Sequence, residues 1–325
     1  MTTPLVSFGP SAPVASSCVP RRSPSYLRVV VTTACNLRCS YCHAEGDRQR
    51  GDEARGLPGP VLGELLEIAL KAGIRKVKLL GGEPLARRDL TDVVRTAHAA
   101  CPSADISAIT AGVVQPHLVN DLLAAGLSRI NVSIHGFTPE ALAQRIRGPG
   151  AHARRSAFLE AVIASGRPVK LNYVYAGRAC EPDLSALLDW AVPRRLCVNV
   201  LDDLHGDGGV EALMEVLGRL RGKPDRTELV PDPDSLETLH WLWDDGLRVE
   251  LKHNHLGEAA PWRACDTCQA RPRCREGIVA LRLTHDGRLL PCMDRPELGI
   301  PIAPILERQG HDAALAAWRR FVEEV

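Results

Sequence analysis

The chain has 325 residues, 45% of them hydrophobic, and its 40 basic residues nearly balance 39 acidic ones. This length predicts one large domain, or one domain with a smaller appendage. The balanced charge excludes the broad basic surface of a general nucleic-acid-binding protein, and the lack of any apolar run of about 18 residues excludes a membrane-spanning helix.

The first 25 residues are rich in Pro, Ser and Val, and they lack the charged start and apolar run of a signal peptide. We interpret residues 1–25 as a disordered tail on a cytoplasmic protein. Thiols stay reduced in that compartment, so the eleven cysteines predict metal or cluster binding rather than disulfides.

From residue 26 onward, strand-like and helix-like segments alternate. The predicted strands are 26–33, 75–82, 104–110, 128–134, 168–175 and 195–201, and the helices between them are 60–73, 87–101, 115–125, 152–165 and 181–191. Such βα units predict a parallel sheet with right-handed crossovers, and the near-continuous apolar runs predict strands covered on both faces. A partial barrel and a doubly wound sheet both fit, and either one places function at the carboxyl ends of the strands.

The alternation weakens after residue 202. Residues 202–209 predict a loop, helices are predicted near 210–221 and 234–245, and a cysteine-rich segment covers 262–295. We therefore predict a tail over 1–25, a main α/β domain over 26–225 and a C-terminal domain over 226–325.

A group of three cysteines follows the first strand directly. The segment TTACNLRCSYCHAEG (32–46) contains Cys35, Cys39 and Cys42. A [4Fe–4S] cluster normally takes four thiolates, so three would leave one iron open to another ligand. The alternative is a zinc site with His43 as the fourth ligand, since structural zinc requires four ligands.

This CxxxCxxC segment, together with GGEP at 81–84, resembles the radical S-adenosylmethionine (SAM) superfamily. The resemblance implies an α/β fold, a partial (β/α)6 TIM-like barrel, and an open iron that binds the amino and carboxylate groups of SAM. It also implies a set of SAM-contacting positions: Tyr41, Gly81, Gly82, Glu83, Thr110 and Ser133. For the two hydroxyl residues, which lie at predicted strand ends, the alternative role is to cap the strand.

A second cysteine group lies in the C-terminal segment, at Cys265, Cys268, Cys274 and Cys292. Four thiolates are a complete set for an auxiliary iron–sulfur cluster. Zinc is the alternative here, because four cysteines also suit a tetrahedral zinc ion.

The ending RLTHDGRLLPC (282–292) is similar to the C-terminal motif of the GTP cyclase family that begins molybdenum-cofactor synthesis. This resemblance spans about residues 26–295 and implies a second [4Fe–4S] cluster in the cysteine-rich domain. It implies basic substrate contacts at Arg28, Lys76, Lys78 and Arg282. Ala280 in place of a second arginine, the ending FVEEV in place of Gly-Gly, and the extra thiol of Cys274 favour a substrate other than GTP.

The resemblance thus predicts an enzyme that reductively cleaves SAM to a 5′-deoxyadenosyl radical, which abstracts hydrogen from a substrate. We expect a phosphorylated nucleoside or sugar nucleotide, in cofactor or natural-product biosynthesis, and an external electron donor such as flavodoxin or ferredoxin. The reaction class stays open among lyase, cyclase and C–C bond-forming transferase. Candidate proton or hydrogen donors are His135, Asp202, His205 and Cys180.

Two alternative functions remain at this stage. One is a peptide-modifying maturase, whose family shares the G-x4-C element seen here from Gly287 to Cys292, although a tail of 25 residues does not supply a leader-peptide-binding domain. The other is a non-catalytic metal-binding scaffold, which does not require GGEP or polar strand ends.

Overall fold

The computed structural model describes residues 24–35, 37, 42, 56–144, 150–203, 209–231, 238–252, 262–269, 271, 274 and 279–325. Within these residues, the strands are β1 (Tyr26–Thr32), β2 (Lys76–Gly81), β3 (Asp105–Thr110), β4 (Arg129–Ser133), β5 (Val169–Tyr175), β6 (Cys197–Asp202), β7 (Arg226–Val230), β8 (Thr238–Leu242), β9 (Arg248–Lys252), β10 (Leu281–Leu283) and β11 (Leu289–Leu290). The helices are α1 (Gly59–Lys71), α2 (Leu90–Ala100), α3 (Leu118–Ala124), α4 (Pro139–Ala143), α5 (Ala151–Ala164), α6 (Glu181–Ala191), α7 (Gly209–Arg221), α8 (Ile302–Gln309) and α9 (His311–Glu324).

All of the described strands form one sheet, in the order β11-β10-β1-β2-β3-β4-β5-β6-β9-β8-β7. β1 to β6 are parallel neighbours in chain order, with helices in the connections. The predicted α/β fold with a partial (β/α)6 barrel is confirmed, and each predicted element before residue 202 agrees with an observed one to within a few residues.

The two faces of the sheet differ in chemistry. On one face, side chains such as Ile130, Leu171 and Val198 join the helices in the hydrophobic core and are at most 2% exposed. The opposite face, which we call the inner face, carries polar residues at alternate positions: Arg28, Lys78, Ser107, Asn131, Asn172 and Asn199. The near-continuous apolar runs of the predicted strands therefore conceal a period of two, which separates a core face from a polar one.

The prediction of a helix near 234–245 is also wrong. The segment TLHWL forms β8, which pairs antiparallel with β7 and β9. Its aromatic and β-branched residues favour a strand, and the turn through Asp244, Asp245 and Gly246 (φ 93°) returns the chain into β9. Trp241 and Trp243 are buried there and meet edge to face, with ring centroids 5.9 Å apart.

β10 returns the C-terminal segment to the main sheet, beside β1 and parallel to it, with Arg28 and Arg282 in register. β9 likewise pairs with β6, so strands on both sides of residue 225 share the sheet. The division into domains stays a prediction. Of the helices that the structure describes, none has the length and apolar character needed to cross a membrane.

Candidate functional site

The carboxyl ends of β1 and β2 are locked together by their main chains. The amide of Gly82 donates to the carbonyl of Thr32 at 2.8 Å, and the amide of Glu83 donates to the carbonyl of Ala34 at 2.7 Å. A Cβ atom on Gly82 would lie 2.0 Å from the Ala34 oxygen, and Gly81 has a φ of 141°. The two glycines therefore let the GGEP segment lie directly against the residue that precedes Cys35.

Glu83 joins the ends of β2 and β3. Its carboxylate is 2% exposed and accepts hydrogen bonds from Thr110 Oγ1 at 2.7 Å, the Ala111 amide at 2.9 Å and the Leu85 amide at 3.1 Å. Burial raises the pKa of Glu83, and these hydrogen bonds oppose that rise. The hydroxyl of Thr110 also accepts from the Gly112 amide at 2.9 Å. Both side chains thus shape the strand ends, and their contact with SAM stays a prediction.

The first cysteine segment lies at this edge of the sheet. Cys35 is half-buried against a small apolar cluster that includes Leu37 and Val113, and its sulfur accepts a hydrogen bond from the Leu37 amide at 3.4 Å. Cys42 is exposed, while Cys39 and Tyr41 lie outside the described residues. Soft thiolate donors with N–H···S support in an apolar setting fit an iron–sulfur cluster. Among the described residues, no three His, Cys, Asp or Glu side chains form a ligand set.

The loop after β4 is held from two sides. Asp183 accepts from the Phe137 amide at 2.8 Å, the Thr138 amide at 2.7 Å and the Tyr173 hydroxyl at 3.1 Å. Arg155 donates to the carbonyls of Gly136 and Phe137, and burial lowers the pKa of its guanidinium to about 10. This bracing fixes the segment that carries His135, two residues beyond Ser133 at the end of β4.

The other candidate donors lie apart from one another. Asp202 ends β6 and accepts from the Gly209 amide at 2.8 Å, which fixes the start of α7. Cys180 is half-buried in the turn that precedes α6, where its carbonyl accepts from the Tyr173 hydroxyl at 3.2 Å. His205 lies outside the described residues.

The predicted substrate-contacting cations lie together on the inner face. Arg28 donates to the Tyr26 hydroxyl at 3.0 Å, and the ammonium groups of Lys76 and Lys78 lie 4.6 and 5.9 Å from the Tyr26 ring centroid. Arg282 is in register with Arg28 on the next strand, and these two arginines are 2% and 7% exposed, respectively. We call Arg28, Lys76, Lys78 and Arg282 the basic cluster.

Tyr26 is a site residue that sequence reasoning missed. It precedes Arg28 by two positions, so a period of two along β1 would have placed both on one face. Its ring attracts the ammonium groups of the two lysines, and its hydroxyl accepts from Arg28. Tyr26 therefore brings together three of the four cations.

A second charged group on the inner face also escaped the sequence analysis. Glu250 forms an ion pair with Lys170, accepts from Arg248 at 3.2 Å and accepts from the Cys197 thiol at 3.2 Å. Burial, the largest single effect, would raise the pKa of Glu250, but the Lys170 ammonium, the hydrogen bond from Cys197 and the nearby His240 together outweigh it, and the pKa is lowered. Burial, with the Glu250 charge, raises the pKa of Cys197 to about 12. We call Lys170, Cys197, Arg248 and Glu250 the carboxylate cluster.

The second cysteine segment winds through successive tight turns. Amides of Cys265, Cys268 and Cys274 each donate to the carbonyl three residues earlier, at 3.0 to 3.2 Å. Arg295, three residues after Cys292, donates to the Ala264 carbonyl at 3.2 Å, and its contacts with Glu297 and Cys268 raise its pKa. Arg295 thus joins the two parts of the segment, whose four thiols are half-buried. This donor set suits a cluster or zinc.

Comparison with known proteins places this geometry in context. The family model described as "Radical SAM superfamily" matches residues 29–191. The chain is 28% identical over 292 residues to a probable GTP 3′,8-cyclase of Methanococcus aeolicus, covering 88% of this chain and 90% of that protein. It is 26% identical over 278 residues to the GTP 3′,8-cyclase of a Sulfurovum species, covering 84% and 80%.

The fold also has a counterpart among solved structures. Streptococcus suis SuiB, in a crystal structure bound to S-adenosylmethionine, superposes with a TM-score of 0.56 at 15% identity. The superposition covers 83% of this chain, which spans 60% of the length of SuiB. The family match covers half of the chain and includes the first cysteine group and GGEP. The chain belongs to the radical SAM superfamily and is a radical SAM enzyme that resembles the GTP 3′,8-cyclases.

Proposed function

We propose that this enzyme acts on a phosphorylated nucleoside or sugar nucleotide in cofactor or natural-product biosynthesis. Membership of the superfamily establishes SAM and a [4Fe–4S] cluster as cofactors. The basic cluster is the observation that carries the choice of substrate, because it gathers four cations on the face of the sheet opposite the helices. The similarity to GTP 3′,8-cyclases supports a nucleotide-like ligand.

Cys35, Cys39 and Cys42 are the proposed ligands of the catalytic cluster. When bound, the cluster and SAM supply the 5′-deoxyadenosyl radical that abstracts a hydrogen atom from the substrate. Glu83 holds the ends of β2 and β3 in place beside the cysteine segment. An external donor of the flavodoxin or ferredoxin class is the proposed source of the electron, and the cytoplasmic location stays a prediction. His135, Asp202, His205 and Cys180 remain candidate donors.

The cysteine assignment has a direct test. Cys35→Ala, Cys39→Ala and Cys42→Ala should each abolish reductive cleavage of SAM, while about half of the iron remains, because each thiolate holds one iron of the catalytic cluster. Cys101→Ala, at the end of α2, is the matched control and should retain activity. Full SAM cleavage by any one of the three variants would refute this ligand set.

An auxiliary cluster on Cys265, Cys268, Cys274 and Cys292 is the second part of the proposal. The turns that carry the first three thiols, and the link through Arg295 to the segment of Cys292, support it. Reconstituted protein should then contain roughly eight irons and eight sulfides per chain. About four irons with one equivalent of zinc would assign this segment to a zinc site instead.

The basic cluster suits a polyanion. Removing several cations from water costs free energy. Charge-assisted hydrogen bonds from these cations to phosphate are strong and offset that cost. Lys78→Ala or Arg282→Met should weaken substrate binding by about 1.5–3 kcal/mol per charged hydrogen bond lost. SAM binding should change little, because the proposed SAM site is the iron–sulfur cluster on Cys35, Cys39 and Cys42.

The decisive measurement is an anaerobic screen for substrate-dependent 5′-deoxyadenosine, with nucleoside triphosphates and sugar nucleotides as candidates. The substrate that emerges is then titrated against Lys78→Ala and against Lys71→Ala, an exposed lysine on α1, as the control. A substrate without any anionic group, turned over equally well by wild type and Lys78→Ala, would overturn the proposal.

A further inference from the structure

The inner face carries a second set of polar side chains, on β4, β5 and β6. We infer that Asn131, Asn172 and Asn199 form an amide wall that hydrogen-bonds the uncharged nucleoside part of the substrate. The inference rests on the proposed function, since it takes the phosphates to lie at the basic cluster. It adds the part of the ligand that distinguishes a nucleotide from a simple polyphosphate.

The register of the sheet places the three asparagines together. Asn172 is in register with Asn199 on β6 and with Ser133 on β4, and Asn131 lies two residues before Ser133. Residues in register, and residues two apart on one strand, share a face of the sheet. Their neighbours Ile130, Leu171 and Val198 point to the helices instead, so the asparagines lie on the inner face.

The hydrogen bonding of the amide wall is incomplete. Asn199 Nδ2 donates to Asn172 Oδ1 at 3.0 Å. Asn131 and Asn199 are 2% and 3% exposed, and the Oδ1 atom of each is buried without a hydrogen-bond partner among the residues that the structure describes. Buried polar groups in native proteins nearly always have partners, so two such oxygens on one face indicate a ligand that supplies donors.

The chemistry of the wall favours a neutral, hydroxyl- or amide-bearing group. A carboxamide offers both a donor and an acceptor, and its oxygen and nitrogen can exchange places by rotation. Ribose hydroxyls and the edges of nucleobases have the same mixed character. The cation nearest in register, Lys170 beside Asn131, is bound to Glu250, so this part of the face is not built to attract a phosphate.

The separation between the two subsites fits one ligand. Lys78 lies on β2 and Asn131 on β4, two strands apart in the sheet. Neighbouring strands are about 4.8 Å apart, and Asn131 lies two residues, or about 7 Å, along β4 from the position in register with Lys78, so the separation is about 12 Å. A nucleoside di- or triphosphate can span this distance, with its phosphates on the basic cluster and its nucleoside on the amide wall.

The test compares ligands that differ only in the nucleoside. Tripolyphosphate, GTP and UTP are titrated into the anaerobic, reconstituted holoenzyme by calorimetry. Wild type should bind at least one nucleotide tighter than tripolyphosphate, by roughly tenfold, the ratio that corresponds to 1.4 kcal/mol. Asn199→Leu, Asn131→Leu and the milder Asn199→Ser should lose that gain and keep their affinity for tripolyphosphate, which also reports that they are folded. Asn120→Leu, exposed on α3, is the control and should retain both.

The outcomes separate the wall from the basic cluster. If GTP and UTP both bind tighter than tripolyphosphate by the same factor, the amide wall binds the ribose. If only one of them binds tighter, the amide wall binds the base. Three results would overturn the inferred amide wall. Wild type could bind nucleotides and tripolyphosphate with equal affinity, or the asparagine variants could keep the full preference for the nucleotide. The third result is that the asparagine variants lose tripolyphosphate binding. Failure of wild type to bind tripolyphosphate, or unchanged binding by Lys78→Ala, would instead overturn the proposed function.

Discussion

The basic cluster and the carboxylate cluster occupy the same face of one sheet, yet their cations have different surroundings. In the basic cluster, Lys76 and Lys78 lie over the ring of Tyr26, and Arg28 donates to its hydroxyl. In the carboxylate cluster, Lys170 and Arg248 both bind the carboxylate of Glu250. A phenol ring gathers cations without cancelling their charge, whereas a buried carboxylate cancels it.

This difference predicts where substitutions should change ligand binding and where they should change stability. The cations around Tyr26 are the ones proposed to bind the substrate, so substitutions there should change binding. Lys170 and Arg248 already share Glu250, so substitutions there should change stability. The two clusters thus provide a controlled comparison within one protein, since both lie on parallel strands of the same sheet.

The largest effect is expected from removing the buried carboxylate. Glu250→Gln leaves Lys170 and Arg248 without their shared charge, and breaking a buried ion pair from one side is strongly destabilising. We expect a loss of about 2–3 kcal/mol in the free energy of unfolding, allowing for the partial exposure of both cations. Urea denaturation followed by circular dichroism measures it. Glu228→Gln on β7, whose partner Arg226 is exposed, should cost less than about 0.5 kcal/mol.

The same carboxylate predicts a dependence of stability on pH. The folded state lowers the pKa of Glu250, so its contribution is fully present above the ordinary glutamate pKa and is lost as pH falls through the lower, folded pKa. The stability difference between wild type and Glu250→Gln should therefore be constant from neutral pH to about 5.5 and shrink below about 4.3. A difference that grows on acidification would contradict the assignment of a charged Glu250.

A smaller effect is expected at the centre of the basic cluster. Tyr26→Leu removes the ring beneath two lysines and the hydroxyl that accepts from Arg28. Tripolyphosphate binding should weaken by about 1–2 kcal/mol, as the cations lose their alignment. Tyr26→Phe keeps the ring and should lose roughly half as much. Unchanged binding by both variants would show that Tyr26 does not organise the cluster.

The sequence predicts those parts of the site whose residues are close together along the chain. Cys35 and GGEP could be identified because their spacing along the chain is itself the signal, and the four basic positions followed from resemblance. The near-continuous apolar run of the first predicted strand conceals Tyr26, because it gives no sign of a polar face. Glu250 cannot be identified from the sequence, because it contacts Lys170 from a strand 80 residues away and the sequence predicts a helix where β8 forms. Local sequence patterns predict helices and strands, whereas the pairing of strands that are distant along the chain is known only from the three-dimensional structure.

The smallest effect concerns the thiol within the carboxylate cluster. A pKa of about 12 for Cys197 leaves only roughly one molecule in 10,000 as the reactive thiolate at pH 8. Alkylation of Cys197 by iodoacetamide at pH 8, followed by peptide mass spectrometry, should therefore be at least tenfold slower in the folded protein than in urea. Glu250→Gln should accelerate it, because the carboxylate that accepts from the thiol also raises its pKa. Half-buried Cys101 serves as the reference for general access of the reagent. If Cys197 reacted as fast as Cys101 in wild type, or at the same rate in wild type and Glu250→Gln, the electrostatic coupling between Cys197 and Glu250 would be refuted.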